Sequence, residues 1–158
     1  MTTGDVLLNI KLQIAAVLAA ILNGSGQPLF GATPRIFSSG EPLDTTVMPA
    51  ADWELDDEVA EQKVVVLSHT LPWLVDVYFD DKAEGSNLHT RHARMYGRVK
   101  DAVMNNPKLN GAVVDTRYVG GGTKLTPRDT EQAPDRWSFT LRFESLYRHL
   151  PTDSGVAA

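Results

Sequence analysis

The feature that most constrains the fold is an alternation of apolar and polar residues near the end of the chain. Every second position from 137 to 143 carries a large apolar side chain: Trp137, Phe139, Leu141 and Phe143. A period of two predicts a β-strand with one face buried. The segment runs on to Pro151 through polar and basic residues, among them Tyr147 and Arg148. We therefore expect a long closing strand whose last part does more than complete a core.

Three further segments predict strands that can join the closing strand in a sheet. Residues 72–81 alternate in the same way, and residues 63–69 and 111–122 are the other two candidates. Pro72 stands between the segments 63–69 and 72–81. These two segments are therefore either one bent strand or two paired strands.

An almost wholly apolar segment near the N-terminus predicts a buried helix over residues 5–23. Asp5 can cap this helix, and Gly24 and Gly26 can end it. Its core-facing residues recur at helical spacing: Leu7, Ile10, Ile14, Val17, Leu18 and Ile21. The other faces are also largely apolar, so the helix is either central in its own domain or covered by a neighbour. We expect neither a signal peptide nor a membrane span, because no basic start precedes the segment and polar residues interrupt it.

A second helix is predicted over residues 86–106. Ser86 is its expected N-cap, and Pro107 follows its expected end. The residues that recur on its core face are Leu88, His92, Met95, Val99 and either Ala102 or Val103. This helix therefore packs one apolar face on the predicted sheet.

The connections between these elements are long and polar. Residues 27–52 are rich in Pro, Gly, Ser and Thr, which predicts an extended connection with one edge strand at 36–37. The acidic run at 52–62 predicts a short helix or a solvated loop. Residues 120–135 predict a loop that begins in a flexible glycine hairpin. The two long loops, at 27–52 and 120–135, have too little apolar content to fold alone. We expect them to order only on a partner.

The order of elements predicts an α+β fold with two main helices packed on a mostly antiparallel β-sheet and with long irregular loops. The chain has 158 residues, which is enough for one domain with a proper core and too few for two ordinary domains. We therefore predict a single domain over residues 1–150. Residues 151–158 are predicted to be a flexible C-terminal tail.

Composition excludes several classes of function. The net charge of −5 gives no general attraction to nucleic acid or to an anionic membrane. The chain contains no cysteine, which excludes disulfides, thiolate zinc sites and a cysteine nucleophile.

The chain shows no assembled catalytic or metal-binding motif. His89 and His92 could share a metal ion on one helical turn, but no further ligands stand at a fixed spacing from them. The sequence GGGTK at 120–124 lacks the spacing of a phosphate-binding loop and is followed by no helix. We therefore expect a protein that is not an enzyme and that holds no metal or cofactor.

Charged residues are segregated between two segments. Arg91, Arg94 and Arg98 recur along one flank of the second helix. The acidic run has Asp56, Asp57 and Glu58 at its centre. These segments are either two solvated faces or complementary surfaces on neighbouring subunits. A head-to-tail contact of the second kind builds a ring if its rotation closes.

The order and texture of these elements resemble the tail-terminator proteins of long-tailed bacteriophages. Both have a buried N-terminal helix, a Pro/Gly-rich connection, a strand pair, a second helix, a strand, a loose loop and a long closing strand. The second helix, LHTRHARMYGRVKDAVMNNP at 88–107, and the aromatic and basic end of the closing strand, FESLYRHLP at 143–151, carry the resemblance. It covers residues 5–150, and the stretch from 27 to 62 is longer than in compact members of the family.

The resemblance implies a structural virion protein of the tail–neck junction that passes through the host cytoplasm during assembly. Such proteins form a homohexameric ring that caps the tail-tube protein and presents a surface to the neck, connector or head-closure protein. DNA passes transiently through the ring without sequence-specific contact. Under this interpretation Tyr147 and Arg148 contact an assembly partner.

Three other functions stay open at the level of sequence. The chain could be another neck component, such as a head-closure or tail-completion protein. It could be a small nucleic-acid-binding module that uses the three arginines and Lys100 against phosphates, with Tyr96 nearby. A small enzyme is the third alternative, and a deep pocket with convergent polar groups would favour it.

Overall fold

A computed structural model describes residues 3–31, 34–36, 48–63, 66–80, 87–128, 136–150 and 153–157. Within these residues the chain forms two helices, eight strands and one short 3-10 helix. The helices are α1 (Thr3–Ala19) and α2 (Leu88–Met104), and the 3-10 helix spans Leu109–Gly111. The strands are β1 (Arg35–Ile36), β2 (Ala50–Leu55), β3 (Val59–Lys63), β4 (Val66–Asp80), β5 (Asp115–Gly121), β6 (Thr126–Pro127), β7 (Arg136–Leu150) and β8 (Asp153–Ala157).

All eight strands belong to one sheet whose centre is the antiparallel pair β4 and β7. The pair is continuous from Leu67 opposite His149 to Asp80 opposite Arg136. On one side β2 and β3 pair with β4, and β1 lies outside β2. On the other side β5, β6 and β8 pair with β7. Every pairing is antiparallel except that of β1 with β2, which confirms the predicted α+β fold with its mostly antiparallel sheet.

The alternation seen in the sequence becomes the two faces of the central strands. The odd-numbered residues that form the core are almost completely buried: Trp73, Val75, Val77, Phe79, Phe139, Leu141 and Phe143. Burial of each such side chain contributes about 1.5–3 kcal/mol. The even-numbered residues lie on the opposite side of the sheet, which we call the outer face. It carries Leu74, Asp76 and Tyr78 on β4 and Thr140, Arg142 and Glu144 on β7.

The first helix follows its predicted core stripe and leaves its opposite face uncovered. Ile10, Ile14, Val17, Leu18 and Ile21 are buried as expected, and Leu7 is half-buried. Asp5 does not cap the helix, because the helix begins at Thr3. The Asp5 carboxylate lies in the first turn, where it interacts favourably with the helix dipole. No helix in the described part of the chain is long and apolar enough to cross a membrane.

The second helix has the predicted core face and a different N-cap. The side chain of Asn87 accepts a hydrogen bond from the Thr90 amide at 2.8 Å, which satisfies one of the free amides of the first turn. The predicted cap, Ser86, lies outside the described residues. Met95, Val99 and Val103 are buried against the sheet.

The acidic run at 52–62 is neither a helix nor a loop, because most of it belongs to strands β2 and β3. Both strands pair with β4, and the chain leaves the ladder only between Leu55 and Val59. Pro72 lies opposite this break, where its carbonyl accepts a hydrogen bond from the Asp56 amide at 2.8 Å. In an antiparallel strand the N–H and C=O of a residue point to the same neighbour, so the missing N–H of Pro72 faces the break. The proline is therefore tolerated inside one continuous strand.

Two predictions at the chain's connections also change. Residues Asp153–Ala157, expected to be part of a free tail, form β8 and pair with β7. The reason is that β7 extends to Leu150 and offers unpaired backbone groups there. The predicted edge strand at 36–37 is found one residue earlier, as β1, and position 37 lies outside the described residues.

A buried hydroxyl joins three strands of the core. Ser145 is fully buried, and its Oγ accepts a hydrogen bond from the Trp73 indole N–H at 2.9 Å. The Thr116 hydroxyl lies 2.8 Å from the same oxygen. This shared oxygen ties β4 and β5 to β7 in the middle of the apolar face.

We expect Ser145→Ala to lower the free energy of unfolding by about 1–3 kcal/mol, because it leaves the buried Trp73 N–H without its acceptor. Chemical denaturation measures the change. Arg142→Ala, at an exposed position of the same strand, is the matched control and should stay within about 0.5 kcal/mol of the wild type. Equal stability of Ser145→Ala and the control would show that the shared hydroxyl contributes nothing.

Candidate functional site

The acidic centre of the predicted contact surface lies at the break between β2 and β3. Asp56 and Asp57 are exposed, and the Asp57 amide donates a hydrogen bond to the Asp56 carboxylate at 2.8 Å. Glu58 points back to its own protomer. Its carboxylate accepts a hydrogen bond from the Tyr147 hydroxyl at 2.5 Å and contacts His69 Nδ1 at 3.1 Å. Of these three residues, the two aspartates present their charge outward, and Glu58 is engaged within the protomer.

Tyr147 does not lie at a contact surface, which corrects the sequence-based prediction. Its side chain is only 2% exposed, and its ring stacks on His69 with 4.5 Å between the centroids. Burial and the neighbouring Glu58 carboxylate raise the pKa of Tyr147 above its ordinary value. The alternation that begins at Trp137 continues to Tyr147 with a buried serine between, and this period was the signal for a core position. Arg148, one residue on, is half-buried on the outer face, where it remains a candidate contact.

The three arginines of α2 do not form one continuous face. The guanidinium of Arg91 lies 3.8 Å from an Asp80 carboxylate oxygen and 5.4 Å from the centroid of the Phe79 ring. Its side chain is only 13% exposed. Arg98 donates a hydrogen bond to the Leu22 carbonyl at 3.2 Å. Arg94 is exposed, so of the three predicted cations it alone extends fully into the surroundings.

The other flank of α2 holds the glycine turn that follows β5. His92 donates from Nε2 to the Gly122 carbonyl at 2.6 Å, and the Tyr118 hydroxyl donates to the Gly121 carbonyl. Gly121 has φ 87°, and a Cβ atom there would lie 2.3 Å from the Thr140 carbonyl oxygen. The turn is therefore tightly held, which corrects the expected flexible hairpin. His92 uses Nε2 in this contact, and His89 is exposed.

Lys100 is also engaged within the protomer. Its ammonium group lies 3.2 Å from the Tyr96 hydroxyl oxygen and 4.3 Å from the centroid of the Tyr118 ring. The hydrogen-bond contacts with the Tyr118 hydroxyl and with Lys100 lower the pKa of Tyr96. Burial and the contact with Tyr96 raise the pKa of Tyr118 to about 12. Lys100 and the neighbouring tyrosine rings, which a nucleic-acid-binding module would use, thus contact each other within the protomer.

Ionisable side chains contact one another in groups of two or three in the described part of the chain. No three His, Asp or Glu residues there stand close enough to hold a metal ion. Two carboxylates of β4 have internal partners, since the Thr140 hydroxyl donates to Asp76 and Asp80 faces Arg91. These contacts fix strands and helices in place.

Large apolar residues that stay exposed occur in three places among the described residues. Three are leucines on α1 and just beyond its end, Leu8, Leu12 and Leu22. The other two are Val59 on β3 and Val119 on β5. The sequence predicts extra apolar surface on the first helix but does not indicate the two valines, because their exposure follows from which strands are the edges of the sheet.

The comparisons with known proteins give no family to which the chain can be assigned. The chain matches no protein-family model. No curated protein matches it. Support for its function therefore comes from the surfaces described above.

We expect the free energy of unfolding to fall as the pH rises above 10.0, the ordinary pKa of the Tyr147 phenol. The folded protein favours the protonated phenol, so this stabilisation is present below that pH and is lost as the pH approaches the raised pKa. The loss from this one group reaches about 1.4 kcal/mol per pH unit. Tyr147→Phe should give a flatter dependence in denaturant titrations at several alkaline pH values. Equal slopes for the two proteins would contradict the assignment.

Proposed function

We propose that this protein is a structural virion protein, a bacteriophage tail terminator that forms a ring, caps the tail tube and joins it to the neck. The observation that carries the proposal is the uncovered apolar face of α1. Leu8 and Leu12, one turn apart, are 54% and 57% exposed, and exposed alanines continue the same face toward the end of the helix. Leucines at this spacing present one apolar stripe to the surroundings.

This stripe points away from the sheet that α1 covers. The core stripe and the exposed stripe lie on opposite sides of the helix, so the contacts that bury the first leave the second exposed. Full burial of a leucine side chain contributes about 1.5–3 kcal/mol. Because Leu8 and Leu12 are about half exposed, a partner that covers both gains about 1.5–3 kcal/mol from them, which suits a protein that functions within an assembly.

The proposed assembly has the following partners. Copies of this chain form the ring, and the family resemblance makes it a hexamer. One side of the ring contacts the tail-tube protein, and the other contacts the neck, connector or head-closure protein. DNA crosses the ring during ejection. The place of action is the tail–neck junction of the virion, which the chain reaches from the host cytoplasm.

The alternative of a nucleic-acid-binding module is less well supported by the geometry. Three of its four proposed phosphate ligands, Arg91, Arg98 and Lys100, have partners inside the protomer. The net charge of −5 opposes approach to a polyanion. Another neck protein, such as a head-closure or tail-completion protein, would use the same exposed stripe, and its position in the particle distinguishes it from a terminator.

We expect Leu12→Glu to reduce the fraction of tails joined to heads by at least tenfold, since a carboxylate replaces a buried leucine at the contact and tenfold corresponds to only about 1.4 kcal/mol. Electron micrographs of lysates from a phage carrying the variant measure this fraction. Asn9→Glu places the same charge at an exposed polar position of the same helix and is the matched control.

The assembly state of the purified protein and its position in the particle test the proposal. Wild-type protein should sediment or scatter light as a closed ring of several subunits, and the particle should contain it at the tail–neck junction. Unchanged joining in Leu12→Glu would show that the leucine stripe is not a contact surface. A location elsewhere in the virion, or outside it, would overturn the terminator function.

A further inference from the structure

We propose that neighbouring copies join by pairing the edge of β3 in one copy with the edge of β5 in the next, so that one antiparallel sheet continues around the ring. This inference rests on the proposed ring and specifies the contact that builds it. The occupant of each edge is therefore a second copy of this chain. Two exposed valines, Val59 and Val119, mark the two edges.

Both strands have one side that no described strand covers. β3 pairs with β4, and β5 pairs with β7. An edge of this kind presents a row of N–H and C=O groups that can pair with another chain. The two edges lie on opposite sides of the sheet. Opposite edges that fit each other produce a head-to-tail contact, which is the type that closes into rings.

Strand direction favours this contact. Going across the sheet, β3 is antiparallel to β4, β4 to β7, and β7 to β5. These three reversals leave β3 and β5 running in opposite directions. When a second copy continues the sheet with the same face outward, its β3 therefore lies antiparallel to β5 of the first copy. The pairing needs no change of direction or of face.

The residues on the outer face select one register. Val59 and Glu61 stand opposite the outer-face residues of β4, and Arg117 stands opposite Glu144 of β7. Val119 is the extra residue of a bulge between Tyr118 and Gly120, and it borders the same depression of the outer face as Leu74 and Arg142. An antiparallel register that aligns Glu61 with Arg117 sets Val59 at this bulge, beside Val119. Every outer-face pair is then either apolar or of opposite charge, which stabilises cross-strand pairs.

Other registers lose this pairing of opposite charges. A shift of two residues in one direction sets Glu61 beside Asp115. A shift in the other direction sets Glu61 beside Val119 and leaves Arg117 without a carboxylate of β3. Like charges directly opposite each other destabilise a strand pair. One register out of three is therefore favoured.

Self-pairing of either edge is less favourable than pairing of the two edges with each other. Two copies of β3 joined about their centre would oppose Glu61 to itself. Two copies of β5 joined about their centre would set Arg117 opposite Val119 and so bring no carboxylate to the guanidinium. Arg117 is held in place by two hydrogen bonds to Glu144, yet its side chain remains 73% exposed. A guanidinium has five N–H donors, so it can bind a second carboxylate, which the β3 edge supplies.

Cysteine cross-linking tests the register, because the natural chain contains no cysteine. Directly opposite residues in an antiparallel pair have Cα atoms about 4.5–5.5 Å apart, which suits a disulfide. The test variant is Val59→Cys with Val119→Cys, both at exposed positions. After mild oxidation we expect a ladder of covalent multimers that extends to the size of the ring. Circular dichroism confirms that each variant is folded.

Three controls accompany the test variant. Each single variant, Val59→Cys or Val119→Cys, should give no covalent product, because a head-to-tail contact brings two different edges together. Glu61→Cys with Val119→Cys is one step out of register, with Cα atoms about 7–8 Å apart, and should link at least tenfold less.

The outcomes separate this inference from the proposed function. If the protein forms a multi-subunit ring but the in-register variant gives no ladder of covalent multimers, the edge contact is wrong and the proposed ring is still supported. Dimers from a single variant overturn the head-to-tail arrangement. A strict monomer with no cross-link at any concentration overturns both the contact and the ring. A ladder confined to the in-register variant supports both.

Discussion

The antiparallel pairing of β4 with β7 is the constraint on which the rest of the structure depends. Its period of two sends one set of large side chains into the core and the other set to the outer face. The helices cover the first face. The neighbouring strands are then divided between two sides, so that β3 and β5 lie at opposite edges. The buried hydroxyl of Ser145 adds a polar tie between β4, β5 and β7, because the Trp73 N–H and the Thr116 hydroxyl share it.

Most of the charged residues that the sequence predicts to contact a partner instead contact other residues of the same protomer. Glu58 joins the break between β2 and β3 to Tyr147. Arg91 fixes the start of α2 to the end of β4, and Arg98 fixes its middle to the chain beyond α1. What remains for assembly is a smaller set: a leucine stripe on α1 and the two strand edges. The proposed ring therefore depends on apolar contact and backbone pairing, with charge deciding the register.

The sequence predicts helices and strands well where one hydrophobic period is clear. It predicts them poorly where tertiary contacts decide the structure. The strand at 137–143 and the core stripe of α1 follow from spacing alone. The acidic run at 52–62 hides most of β2 and of the edge strand β3, because strand residues that face water can carry charge without losing strand structure. The resemblance implies a partner contact for Tyr147, which stands in the aromatic and basic end of the closing strand. Its burial depends on Glu58 and His69, which only the tertiary fold brings to it. The partners of Arg91 and Arg98 depend on tertiary packing, which spacing along a helix does not encode.

Hydrogen–deuterium exchange at several protein concentrations tests the central claim, that the edges of the sheet are completed by other copies, most directly. The amides of β3 and β5 that point away from β4 and β7 have no partner among the described strands of one protomer. The account predicts that their protection rises together as the concentration rises, while the amides of β7 keep the same protection throughout. Rapid exchange in β3 and β5 that is independent of concentration, in a sample that is fully assembled, would contradict it.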